Sequence, residues 1–124
     1  MAVRGIRGAI TVAENSEQAI LEATEKVMRA LVRENEVNAE DVGSVIITVT
    51  HDLDAAFPAR AVRQLDGWEL VPLMCSNEIP VPGSLEKCIR VMALVNTEKS
   101  IREIRHVFLE GAAALRPDLR TEAR

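Results

Sequence analysis

The segment Cys88-Ile-Arg-Val-Met-Ala-Leu-Val95 sets one permanent cation in the middle of an otherwise apolar, strand-like run. Side chains alternate along a strand, so Arg90 shares a face with Cys88, Met92 and Leu94, while Ile89, Val91, Ala93 and Val95 take the other. A guanidinium cannot discharge itself by losing a proton, and its burial is tolerable only against a carboxylate, carbonyl dipoles or a bound ligand. The Arg90 face is therefore a candidate site. The alternative is an arginine near a strand end that snorkels its head to water or pairs with a structural acid.

Other elements can be read around this strand. Val3 to Val12 reads as a strand with Arg7 facing away from Ile6 and Ile10; Gly5 and Gly8 beside it leave room for a backbone or ligand, and locally a solvated edge strand is favoured. From Asn15 the period becomes helical. Asn15 can cap, Gln18 stands at the capping-box position, and Ile20, Thr24, Val27, Met28, Leu31 and Val32 form a stripe, predicting a core-covering helix over 16–34. Val45 to Thr50 is β-branched nearly throughout, which predicts a strand buried on both faces. After a loop from His51, Pro58 can open a short helix through Leu65, closed by Gly67, with Arg60 and Arg63 one turn apart. Trp68 to Cys75 reads as a strand at a sheet edge or bulge because of Pro72. Ser76 to Gly83 is a loop carrying Glu78 just past that strand. From Ser100 to Leu115 one amphipathic helix, or a helical turn followed by a strand at His106 to Leu109, are both open. Arg116-Pro117 ends whatever precedes it, and residues from about 117 to 124 have the composition of a mobile tail.

At 124 residues, 48% hydrophobic and 27% charged, the chain fits a single domain, 1–124. One Trp, two Phe and no Tyr leave the core to Val, Ile, Leu, Ala and Met. A small aliphatic domain gains stability by self-association, and a closed ring also creates clefts between subunits. The net charge of −4, the missing basic stripe and the scarcity of stacking aromatics argue against nucleic acid. Apolar runs fall short of the ~20 residues that span a bilayer, and the first residues lack the apolar stretch of a secretory signal. A cytoplasmic protein without membrane contact is expected, with Cys75 and Cys88 as reduced thiols and no metal site.

No conventional catalytic set is visible: no Gly-rich phosphate loop, no metal-ligand spacing and no hydrolase elbow. His51 and His106 read as capping or packing residues, and nothing adjacent in sequence activates Cys75. What remains is a set of arginines at element ends, Arg7, Arg60, Arg63, Arg90 and Arg116, with the loop acid Glu78. Planar guanidinium forks match carboxylates two bonds at a time, so such a set in a low-dielectric cleft would orient a small dicarboxylate.

Arg4-Gly-Ile-Arg-Gly-Ala9, Phe57-Pro-Ala-Arg-Ala-Val-Arg63, Gly67-Trp68, Cys75 three before Glu78, Lys87-Cys-Ile-Arg-Val-Met92, Ile104-Arg-His-Val107 and Leu115-Arg-Pro-Asp-Leu119 stand in order over almost the whole chain. Together they resemble the AroH-class chorismate mutases. The resemblance implies an α+β subunit, a mixed β-sheet packed by one long helix, assembled as a pseudo-α/β-barrel homotrimer with active sites at the subunit interfaces. It also implies a strand at His106 to Leu109. The implied reaction is the Claisen rearrangement of chorismate to prephenate in phenylalanine and tyrosine biosynthesis, with no cofactor.

Such a pericyclic step needs no base, nucleophile or metal, only a held conformer and stabilised charge separation. By the resemblance, Arg90 faces the ether oxygen and is the principal catalyst, Arg7 binds a substrate carboxylate, Glu78 accepts from the ring hydroxyl and Cys75 offers a weaker polar contact there. Phe57, Ala59, Leu73, Met74 and Leu115 shape the wall, and Arg63 and Arg116 lie near the mouth. Three substrate-binding positions depart from the family's habit: Phe108 where Tyr is common, Arg60 where Lys is usual, and Met74 in place of a smaller polar residue, which implies changed affinity with activity kept. The tail past Arg116 would order over the occupied cleft. The competing reading is a non-catalytic trimeric binding module for an anionic metabolite.

Overall fold

In the computed structural model, which describes residues 1–114, β1 (Ala2–Thr11) leads through α1 (Glu17–Asn35) to β2 (Val42–Val49). The short α2 (Ala59–Arg63) precedes β3 (Leu73–Asn77), and β4 (Cys88–Thr97) and β5 (Val107–Leu109) complete the sheet. Leu115, Arg116 and the expected tail lie outside the described residues. The strand order is β3-β2-β4-β1-β5. Because β4 pairs antiparallel with both β1 and β2, while β3 and β5 add parallel edges, β4 runs against the other four strands of a mixed sheet.

The alternation in β4 decides which side is core. Ile89, Val91, Ala93 and Val95 are buried against the α1 side, together with Ile6 and Ile10 of β1 and Val45, Ile47 and Val49 of β2. Ile20, Thr24, Val27, Met28 and Leu31 of α1 close that layer, while Val32 is only half-buried. The helix lies within a residue of its expected span, but its cap is Ser16, whose hydroxyl accepts from the Ala19 N–H. Asn15, read from sequence as the cap, instead bonds to Asp54 and accepts from the Ala55 N–H, joining the helix entry to the loop after β2. At the far end the buried Asn35 donates to Leu31 and Arg105 carbonyls and accepts from the Arg105 N–H, so it fixes the segment leading into β5.

Several local expectations are corrected by the pairing. β1 is an interior strand and not a solvated edge, because β5 adds alongside it. β2 is buried on one face only: Ile46 is exposed and Thr48 half-buried on the other. Of the expected 68–75 strand only Leu73 to Cys75 pairs, and the strand runs on through Ser76 and Asn77, which read as loop. The Pro72 carbonyl accepts the Val45 N–H at 3.0 Å, but with no N–H of its own Pro72 cannot extend the ladder further back, and Trp68 packs into the core through a turn. The C-terminal ambiguity resolves to a helical turn at Ile101–Glu103 followed by the short strand β5.

Candidate active site

Register places a row of residues across the sheet on the face away from α1. Arg90 stands opposite Thr48 on β2 and Ala9 on β1, and Ala9 in turn pairs with Phe108 on β5. Glu78 follows the end of β3, its N–H donating to the Val49 carbonyl at 2.9 Å, which extends the β2–β3 ladder by one step. Its carboxylate lies over the same face. The Thr48 hydroxyl donates to Glu78 Oε2 at 2.7 Å, and Arg90 Nε is 3.4 Å from that oxygen. The two ionic side chains are 32% and 15% exposed, enough burial for the charges to act on each other with weak screening.

Arg90 Nε is buried and makes no hydrogen bond among the described residues, although Glu78 is within ion-pair distance. The charge is thus compensated by proximity while this buried donor stays unpaired, and the side chain, 32% exposed, keeps part of the guanidinium open to an acceptor from outside the chain. Cys88, on the same face and fully buried, has its thiol pushed up in pKa by burial, which the neighbouring Arg90 opposes without cancelling and Glu78 and Asp52 reinforce. It is a neutral packing group with Ala9, Phe108 and Ala112.

Arg7 joins this face two residues before Ala9. Its guanidinium carbon lies 5.6 Å from the centre of the Phe108 ring, a cation–π contact that steers the head across β1 towards β5. Its backbone N–H donates to His106 Nδ1 at 2.9 Å. The imidazole therefore presents a lone pair at Nδ1 and fastens the start of β5 to β1. Sequence marks neither Thr48 nor His106 as a site residue: nothing distinguishes a lone threonine within a β-branched strand, and His106 reads as a capping or packing residue.

The remaining expected residues divide differently. Cys75 pairs with Ile47, and Leu73 with Val45, so both project to the α1 side of the sheet, opposite to Arg90. A cleft of about 480 Å³ opens there at the sheet edge, where Cys75, Phe57 and Arg60 meet Val49, Leu53 and Glu17. Arg60 is held at 2.8 Å by Glu17. Phe57 is 73% exposed at its rim, while Ala59, at the start of α2, is buried. Met74 points to the Arg90 side and is 71% exposed, and Arg63 is exposed on α2. Within one chain, then, Arg7, Glu78, Arg90 and Phe108 form one group, and Phe57, Arg60 and Cys75 form another on the other face.

The profile of type I chorismate mutase matches residues 3–119, which takes in both groups. The chain belongs to the type I chorismate mutase family. It is 48% identical over 119 residues to chorismate mutase AroH of Bacillus subtilis, covering 96% of this chain and 94% of that one. It is 50% identical over 118 residues to chorismate mutase AroH of Thermus thermophilus, covering 94% and 96%. A solved chorismate mutase from Clostridium thermocellum superposes with a TM-score of 0.85 at 52% identity, over 88% of this chain and 96% of that one. For a chorismate mutase, the division of polar residues between two faces is the feature that asks for explanation. Among the described residues no helix is long and apolar enough to cross a membrane.

Proposed function

We infer that this protein is a chorismate mutase that rearranges chorismate to prephenate, and that Arg90 is its principal catalyst. The observation that carries the assignment of Arg90 is its buried Nε without a hydrogen-bond partner, beside a carboxylate that is itself held by Thr48. As the ether C–O bond breaks, negative charge grows on that oxygen. A pre-placed guanidinium attracts it more strongly in the transition state than in the ground state, which is the condition for acceleration. Arg7, steadied over Phe108, is suited to a carboxylate, and Glu78 to the ring hydroxyl. With a reaction that transfers no proton to the protein, nothing further is demanded of the chain except to hold the compact conformer.

We assign the working form to a homotrimer in which the Arg90 face of one subunit meets the Phe57–Arg60–Cys75 cleft of its neighbour, with the three sheets arranged as a pseudo-α/β-barrel. Two groups on opposite faces of one sheet cannot converge on one ligand, whereas two copies can bring them together. Ile46, Met74 and Leu94 give the Arg90 face an exposed apolar component that a second copy would cover. Arg63, Ala59, Leu73 and Met74 then belong to the wall and mouth; Leu115 and Arg116 lie outside the described residues. The cytoplasm, where aromatic amino acids are made, is the expected compartment.

Loss of chorismate absorbance with appearance of prephenate, in buffer without added metal, tests the reading. Turnover no faster than in buffer alone refutes it, and saturable binding without turnover would favour a binding module. Light scattering should give three times the 13.6 kDa chain mass; a stable monomer with full activity would refute the shared site.

A further inference from the structure

The loop after β2 is fastened to the entry of β4 by a compact set of bonds. The Asp52 carboxylate accepts the Lys87 N–H with both oxygens, at 2.9 and 3.2 Å, and also accepts the Thr50 hydroxyl. Thr50 Oγ1 in turn accepts the Cys88 N–H at 3.0 Å, while the Thr50 N–H donates to the Cys88 carbonyl. From the other side, the Val12 N–H donates to the Lys87 carbonyl at 2.8 Å. Lys87 itself has φ +48, the left-handed region that a side chain enters only under constraint. The first two amides of the β4 approach are thus satisfied by side chains of Asp52 and Thr50, which hold a strained corner at Lys87, three residues before Arg90.

Arg90 depends on that corner more than an ordinary surface arginine would. Its Nε has no hydrogen bond of its own to orient it, so the position of its head follows from where the backbone of β4 starts and from the neighbouring Cys88 and Glu78. We propose that Asp52 and Thr50 are positioning residues that set the placement of the Arg90 guanidinium for the rearrangement. The proposal rests on the assignment of Arg90 as catalyst. The carboxylate is suited to the task because its two oxygens take three contacts from two donors, the Lys87 N–H and the Thr50 hydroxyl; an amide would have to present an N–H to one of them. Thr50 links its two partners because a hydroxyl both donates, to Asp52, and accepts, from Cys88.

The test compares the unmodified protein with Asp52→Asn, Thr50→Val and Thr50→Ser on chorismate, each well below its own unfolding midpoint. Asp52→Asn and Thr50→Val should lower kcat by tenfold or more while KM moves by less, and Thr50→Ser, which keeps the hydroxyl, should stay within about threefold of the parent. In an Arg90→Lys background Asp52→Asn should cost much less than in the parent, since a displaced head has little left to lose. A merely structural role would lower the unfolding midpoint of Asp52→Asn and Thr50→Val yet leave kcat intact in the folded fraction, and that result, or an equal loss in the Arg90→Lys background, would overturn the proposal. Should Asp52→Asn fail to fold, the Thr50→Val and Thr50→Ser pair decides alone. No turnover by the unmodified protein would instead overturn the mutase reading beneath it.

Discussion

Glu78 and Arg90 stand 3.4 Å apart at Oε2 and Nε, near enough to neutralise one another yet not aligned as a hydrogen bond. The oxygen they share is committed to Thr48, so the carboxylate is positioned by β2 while the guanidinium is positioned by β4. Neither side chain locks the other. This separates the pair from a structural ion pair, whose geometry would be satisfied within the chain.

Arg90→Lys should keep the fold and lose activity. An ammonium retains the charge but neither the planar fork nor its reach, and loss of one such stabiliser costs on the order of 3 kcal/mol, or about a hundredfold in kcat. Steady-state kinetics on chorismate check this, with circular dichroism confirming the fold; near-normal kcat would show that the role is misassigned.

Thr48→Val removes the donor to Glu78 Oε2 with little change of shape. One hydrogen bond to a charged acceptor contributes about 1.5–3 kcal/mol, so kcat/KM should fall by roughly an order of magnitude or more, and Thr48→Ser should restore most of it. Equal activity in the valine and serine variants would contradict the arrangement.

Native protein treated with iodoacetamide should be alkylated at Cys75 and spared at Cys88, which is fully buried and whose thiol burial keeps protonated. In denaturant both should react. Mass spectrometry of the digested protein reads the two sites separately, and native labelling of Cys88 at the rate of Cys75 would contradict the packing around Arg90.

Gly8→Ala places a Cβ 3.0 Å from Val91 Cγ2 and 3.1 Å from Val27 Cγ2, between β4 and α1, where branched side chains have little freedom to yield. Overpacking of this kind costs about 1–3 kcal/mol. At Gly43 the nearest atom to an added Cβ is 3.7 Å away, so Gly43→Ala should leave stability unchanged or slightly raised. Urea unfolding midpoints of the two variants check the contrast.

Asp52 gives a pH dependence with a definite sign. Partial burial alone would raise its pKa, but the Thr50 and Lys87 donors, with nearby His51, outweigh that and hold it below 3.8. A carboxyl that is more acidic folded than unfolded stabilises fully above its unfolded pKa and loses that contribution as pH falls through the folded one. The stability difference between the parent and Asp52→Asn should therefore be constant near neutrality and shrink below about pH 4. Denaturation curves at pH 7 and pH 3 measure it, and a difference that grows on acidification would reverse the argument.

Much of this was legible in local sequence. The alternation about Arg90 sorted Ile89, Val91, Ala93 and Val95 to the core as the sheet has them, and the stripe from Ile20 to Leu31 located the covering helix. The family strings led to the right family and to a strand at β5 that periodicity left open. These features repeat every two or 3.6 residues, or occur as contiguous words, so a short stretch of chain contains all the information they need.

Tertiary structure alone decided how those elements align. That β1 is interior depends on β5, nearly a hundred residues later in the chain, and that Thr48 meets Glu78 depends on the β2–β3 and β2–β4 registers together. Cys75 is the sharpest case: it stands three residues from Glu78 yet opens on the other face, because pairing with β2 carries the strand through Ser76 and Asn77, which read as loop, and on to the Glu78 N–H, so that alternation continues as far as Glu78. Residue types announced an anion-binding chemistry; the division of those residues between two faces arose from long-range pairing, whose register no local pattern contains.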